Sequence, residues 1–253
     1  MKTAISFKAA GVILAVALSG CVHTGFGSNK NPQQAAQANI QLAIEYMRLD
    51  KLAVSRDYLE RALAEDPDNP SVQATAGMIY ERLGEMPKAD RAYARAAHTG
   101  SADPDIQNSY AGFLCRTGKS TAGEKLFNEV ARNPLYQTPE VALVNAGVCV
   151  GSKGDSVDAE RYFNRALAIR PNMPEALLQM GTLQFDRGDA AQALETAQRS
   201  LSVNPASPEI LWLALRADRK LGDATGAASY ARRIQNEFPD SAQARMMRSG
   251  VDR

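Results

Sequence analysis

The chain has 253 residues, with 29 Lys and Arg against 28 Asp and Glu for a net charge of +1, and two histidines. This balance offers no basic stripe to a nucleic-acid backbone, and two histidines cannot supply a metal site built on several imidazoles. Hydrophobic residues make up 45% of the chain but aromatic ones only 6%, which favours Ala-rich helices in close approach over a bulky aromatic core.

Residues 1–20 read as a targeting segment. Lys2 and Lys8 give a positive start, an apolar run extends from Ala9 to Leu18, and small residues precede a cysteine. The run is about half of the roughly 20 residues needed to span a bilayer, so it is a signal and not an anchor helix. Its end, Leu18-Ser19-Gly20-Cys21, resembles the bacterial lipobox. That resemblance implies cleavage before Cys21 and acylation of both its thiol and the new amino terminus. Two or three acyl chains make a stable anchor, at about 0.8 kcal/mol per buried CH₂. Similarity to sorted lipoproteins, with Val22 and not Asp after the cysteine, implies the periplasmic face of the outer membrane. Removing the leader takes away Lys2 and Lys8 and leaves 27 basic residues against 28 acidic, a net charge of −1.

Residues 21–35 form the expected tether. "VHTGFGSNKNPQQ" contains Gly, Ser, Asn and Pro with no apolar period, as a flexible linker does.

From about residue 36 the chain repeats itself. "ERALAEDPDNP", "NRALAIRPNMP" and "QRSLSVNPASP" are one phrase, and Gly84, Gly118, Gly154, Gly188 and Gly222 are spaced by 34, 36, 34 and 34 residues, with Asp50 in the equivalent place one period earlier. Six units follow, at about 36–69, 70–103, 104–139, 140–173, 174–207 and 208–241, the third and fourth separated by a two-residue insertion in "NPLYQTP". Each unit holds two apolar-periodic segments rich in Ala, Leu, Arg, Glu and Gln with three- and four-residue spacing, the signature of helices and not of strands. Pro70, Pro104, Pro174 and Pro208 stand at first helical positions, where a missing N–H costs nothing.

The pattern resembles the tetratricopeptide repeat (TPR), whose 34-residue unit carries small residues at its eighth, twentieth and twenty-seventh positions. The eighth reads Ala43, Gly77, Ala111, Gly147, Gly181 and Leu215. The twentieth reads Ser55, Ala89, Gly123, Ala159, Ala193 and Ala227, and the twenty-seventh Ala62, Ala96, Val130, Ala166, Ser200 and Ile234. Small side chains there let the two helices of a unit cross closely. The resemblance implies an all-α fold, a right-handed superhelix of six helix-turn-helix units, with "DSAQARMMRS" as a C-terminal cap helix reaching about residue 250.

"GFLCRTGKS", residues 112–120, looks at first like a phosphate-binding loop. Five residues separate Gly112 from Gly118 where a P-loop needs four, and no strand precedes it. The stretch is instead the end of a first helix, its Gly turn and the start of a second, equivalent to "ERLGEM" and "FDRGDA" in neighbouring units. No set of nucleophile, base and orienting group can be assembled, and the carboxylates of "EDPDN" and "SADPD" stand where helix N-termini need acceptors. The chain is therefore expected not to be an enzyme and to need no cofactor, metal, nucleic acid or small-molecule substrate.

With Cys21 assigned to lipid, Cys115 and Cys149 remain, at the twelfth and tenth positions of adjacent first helices. Neighbouring helix axes at about 8–10 Å can bring two Cα atoms within disulfide range if the helices lean together, and Gly147 and Gly151 are the residues expected to permit that. An exported chain meets oxidant, which favours a structural disulfide. Two buried thiols are the alternative, and a redox-active pair is disfavoured because there is no Cys-x-x-Cys.

Solenoids bind through their concave wall, and in TPR proteins first-helix positions two, five, nine and twelve line it. In the first unit these are Gln37, Ile40, Ile44 and Met47, and in the second Ser71, Ala74, Met78 and Glu81. Ile40, Ile44, Met47 and Met78 are accordingly the expected client contacts, an apolar stripe suited to an apolar or amphipathic peptide. The competing reading is that Ile40 and Met47 pack under the tether. Arg48, Arg82 and Arg116 recur at the thirteenth position and form either a basic ladder or solvated charges.

A lipidated tether, six TPR units and a cysteine in the first helices of units three and four together resemble the type IV pilus pilotin family called PilF or PilW. That resemblance implies an outer-membrane lipoprotein that binds secretin subunits and promotes their localisation and multimerisation. A TPR scaffold lipoprotein for another branch of envelope assembly shares the same general features.

Overall fold

The computed structural model describes residues 31–250. The leader, Cys21 and the tether up to residue 30 lie outside the described residues. Thirteen helices follow: α1 (Pro32–Arg48), α2 (Leu52–Glu65), α3 (Pro70–Arg82), α4 (Met86–Thr99), α5 (Pro104–Arg116), α6 (Ser120–Arg132), α7 (Pro139–Gly151), α8 (Ser156–Ile169), α9 (Pro174–Asp186), α10 (Ala190–Val203), α11 (Pro208–Leu221), α12 (Ala224–Glu237) and α13 (Ala242–Ser249). No strand occurs among the described residues. One boundary differs from the sequence reading: α1 begins at Pro32, so residues 32–35, expected in the tether, are helical. Ala36, Ile40 and Ala43 recur on one face of α1 and are buried, and that face carries the helix back past the start of the first repeat.

Each pair turns on a left-handed residue. Gly84, Gly118, Gly154, Gly188 and Gly222 have φ of 74°, 82°, 87°, 92° and 82°, and Asp50 at 56° is the one non-glycine residue with positive φ among those described. A side chain is disfavoured in this region, which explains why glycine recurs with the period. The opposite ends are capped from the sequence: Asn69 Oδ1 accepts from Ser71 N at 3.0 Å, and Asp103 Oδ1 accepts from Asp105 N at 2.9 Å. The carboxylate of Asp103 thus satisfies the start of α5, while in the turn before α3 the cap is the Asn69 amide, with Asp66 accepting from it and Asp68 paired with Arg95.

Within a pair the small columns meet large ones. A methyl group on Gly77 would lie 2.6 Å from Tyr93 Cγ, and one on Gly147 2.5 Å from Phe163 Cε1. Tyr93, Phe127 and Phe163 all stand sixteen residues after the small residue of the eighth position, as does Leu59, buried beside Ala43. In the fifth unit that place is Ala197, and Leu213 of the next first helix fills the space at Gly181. In the sixth it is Ala231, opposite Leu215. The sixth unit therefore inverts the pair: large Leu215 and small Ala231 share one apolar cluster. Interior volume is conserved when one partner grows and the other shrinks.

First helices form a continuous row. α1 touches α3, α3 touches α5, and the series runs through α7, α9 and α11 to α13, which takes the place of a seventh first helix. A second helix packs on its own first helix and the next one, whereas the backbones of successive second helices stand farther apart; α6 and α8 meet only through side chains, with the Tyr162 hydroxyl donating to Glu124 at 2.8 Å and Arg165 to Asn128 at 3.3 Å. Close packing along one row and splaying along the other bends the stack, with the first helices on the inner wall. α7, surrounded by α5, α6, α8 and α9, is apolar around most of its circumference, as a helix buried on all sides should be.

Candidate binding groove

The inner wall opens into a groove of about 970 Å³ lined by the C-terminal half of α3, by α5 and by the C-terminal half of α7, with residues of α4 and α6 at its floor. Met78 and Val148 supply apolar walls, and the Cys115–Cys149 pair, Tyr93 and Phe127 lie beneath them. Asn108 and Ser109 of α5, Asn145 of α7 and Ser152 just after it bring polar groups to the rim.

Cys115 and Cys149 are joined in the structure, with Cα atoms 5.5 Å apart. The glycines that make room are not those flanking Cys149. Gly147 faces the Phe163 ring and Gly151 faces Ala159, both on α8. The residue that admits the Cys115 sulfur is Gly123 on α6, whose missing Cβ would lie 2.4 Å from it.

The charges beside the groove neutralise one another. Arg116 Nε and Nη2 donate to the two carboxylate oxygens of Glu81 at 2.6 and 2.9 Å, a bidentate pair of the strong kind. The Tyr93 hydroxyl donates to Glu81 Oε2 at 3.3 Å, and burial together with the Glu81 charge pushes the Tyr93 phenol above its ordinary range. Its hydrogen bond to Glu81 raises the Arg116 guanidinium as well. Arg82 reaches Asp50 at 3.1 Å and Arg48 reaches Glu45 at 3.8 Å. The three arginines at position thirteen each have a carboxylate and do not form a free basic ladder.

The four apolar residues expected to meet a client separate here. Met78 lines the groove. Ile40 does not: it is 3% exposed and packs with Ala36, Ala62 and Val72, a correction with a simple cause. Position five faces the next first helix as well as the hollow, so an aliphatic side chain there folds down onto its neighbour. Val144, at the same position of the fourth unit, is buried in the same way. Ile44 is half-buried, and Met47 is half-buried against the core that holds Ala43 and Leu59. The stripe on α1 is thus largely core, packed on α2 and α3. Carried into the third and fourth units, the same register names Asn108, Gly112, Cys115 and Val148, all of which line the groove. Asn145, one residue off that register, is visible only from the structure.

Among the described residues no group of three or more His, Cys, Asp or Glu is placed to hold a metal ion, and no helix is long and apolar enough to cross a membrane.

Comparison with known proteins agrees with this architecture. Tetratricopeptide repeat family models match residues 40–106, 152–217 and 210–241. The type IV pilus assembly protein PilF of Pseudomonas aeruginosa is 26% identical over 175 residues, covering 68% of this chain and 69% of that protein. The crystal structure of PilW, described as a widely conserved type IV pilus biogenesis factor, superposes with a TM-score of 0.70 at 28% identity, covering 85% of this chain and 98% of PilW. The structure of P. aeruginosa PilF superposes with a TM-score of 0.66 at 22% identity, over 87% of this chain and all of PilF, and shows the shared fold.

Proposed function

Starting from the chain's membership of the tetratricopeptide repeat family, in the branch similar to PilF and PilW, we propose that it is an outer-membrane lipoprotein of type IV pilus biogenesis. In this reading it acts as a pilotin: it binds secretin subunits, escorts them to the outer membrane and promotes their assembly into the multimeric pore. The observation that carries the reading is the extent of the match with PilW, which spans 98% of that structure. A shared repeat alone would leave the partner open.

The division of labour follows from the two ends of the chain. Acylated Cys21 holds the membrane and the inner wall of first helices holds the client. Linking two moderate interactions raises the effective concentration of each partner at the other without any new contact. The Cys115–Cys149 disulfide fixes α5 to α7 across the groove, so the wall is set before the client arrives and less ordering is left for binding. No chemical step is required of the protein.

The test is deletion of the gene followed by fractionation of the envelope. Secretin multimers should be lost from outer-membrane fractions, return with the wild-type chain, and return poorly with Cys21→Ser. Multimers that form in normal amount and place without the protein would favour an envelope-assembly scaffold with another partner.

A further inference from the structure

Five glycines lie in the interiors of α3, α5, α6, α7 and α9: Gly77, Gly112, Gly123, Gly147 and Gly181. A glycine in a helix interior costs about 1 kcal/mol relative to alanine, so each calls for a reason. Four have one inside the protein. A Cβ on Gly77 or Gly147 would enter an aromatic ring, on Gly123 the Cys115 sulfur and the Ala111 carbonyl, and on Gly181 the Leu213 side chain.

Gly112 has none of these. A Cβ there would meet no backbone, ring or sulfur, only the tip of the Arg116 side chain at 3.0 Å from Nη1, a guanidinium held by Glu81 through its other two nitrogens that would have to shift by a few tenths of an ångström. Gly112 lies on the groove wall. Beside the Arg116 guanidinium it leaves half-buried helix backbone on the groove wall, the kind of place where glycine admits the close approach of another main chain.

One turn earlier stands Asn108. Asn145 Nδ2 donates to Asn108 Oδ1 at 3.3 Å across the α5–α7 boundary, and both side chains are half-buried on the groove. An amide has two N–H donors and one oxygen with two lone pairs. The bonded pair therefore keeps a donor on Asn108 and an acceptor on Asn145, and interchanging O and N in both preserves one of each. An adjacent donor and acceptor complement the C=O and N–H of one residue in an extended chain.

The geometry points to the occupant of this groove: an extended, uncharged polypeptide segment read through its main chain by Asn108 and Asn145, passing over Gly112, with an apolar side chain between Met78 and Val148. The absence of net charge follows from the pairing of Glu81 with Arg116 and of Arg82 with Asp50, which leaves neither sign to be complemented. This assignment rests on the binding role proposed above and names the chemistry of its ligand.

The test uses overlapping synthetic peptides, capped at both ends, covering the secretin subunit, titrated by fluorescence anisotropy against the full-length protein in detergent. Binding of one or more peptides is expected, weakened about tenfold or more by Asn108→Ala with Asn145→Ala, as loss of two hydrogen bonds requires. Gly112→Leu should abolish binding while keeping a cooperative thermal transition, and Gly112→Ala, which asks Arg116 to move least, serves as a second folding control. Methylating one backbone N–H of the bound peptide should weaken binding to wild type and not to the double Asn variant. Equal affinity for wild type and Gly112→Leu would overturn the placement, while leaving the pilotin reading to the deletion experiment. Indifference to backbone methylation at every position would overturn main-chain recognition, and failure of every peptide to bind would overturn the extended occupant.

Discussion

Gly123 on α6 lies against Cys115 on α5 so closely that a methyl group would stand 2.4 Å from the sulfur and 2.7 Å from the carbonyl oxygen of Ala111. The disulfide to Cys149 on α7 therefore depends on a residue in a third helix. Gly123→Ala should destabilise the protein by about 1–3 kcal/mol, as overpacking does. Part of that loss should disappear in the Cys115→Ser/Cys149→Ser background, where the smaller oxygen occupies the site. Urea denaturation of the four proteins measures the coupling, and strict additivity would contradict the contact.

The crosslink closes a separation of 34 residues and should contribute about 2–4 kcal/mol by restricting the unfolded chain. The unreduced protein purified from envelopes should gain the mass of two protons on reduction and lose stability with it. An unchanged mass would contradict the bridge.

Two glycines separate backbone strain from crowding. Gly118 has φ of 82° and nothing within 4 Å of its absent Cβ, so Gly118→Ala should cost about 1 kcal/mol through the backbone alone. Gly77→Ala instead drives a methyl group into the Tyr93 ring and should cost about 1–3 kcal/mol. Adding Tyr93→Leu, which reproduces the Ala43–Leu59 combination of the first unit, should recover part of the second loss and, if added to Gly118→Ala, none of the first. The comparison is read from denaturation midpoints.

Asp218 is buried, with its carboxylate against Gly226 on α12. Burial first and the nearby Asp223 charge second raise its pKa above the ordinary carboxylate value. The unfolded chain thus ionises more readily than the folded one. The native state is relatively favoured below the unfolded value, and that advantage is lost as pH rises through the folded value. Asp218→Asn should accordingly raise the thermal midpoint at pH 7, with the difference shrinking as the pH falls toward 3. A constant difference across that range would contradict the assignment.

Much of the architecture was legible because it recurs. A left-handed turn every period favours glycine, with Asp50 the one substitute, first-helix starts favour Pro, and helix crossings favour small residues, so sequence spacing alone yields the pairs. The groove was less legible, because its position depends on which way a side chain leans between two equally apolar environments. Ile40 reads as open in the repeat register and is buried because Val72 of the next unit offers it a surface. Gly147 and Gly151 flank Cys149 in sequence yet serve α8, whereas Gly123, distant in sequence, serves the disulfide. Tyr136 in the inserted loop returns to the central core, a contact no local pattern announces.

The central claim is that the inner wall of first helices grips a secretin polypeptide, and site-specific photocrosslinking in living cells tests it most directly. A photoreactive residue replacing Ser109 on the groove should capture the secretin subunit, identified by mass, while one replacing the highly exposed Val157 at the start of α8 should not. Capture from Val157 alone, or no secretin adduct from Ser109 in cells that assemble pili, would contradict the account.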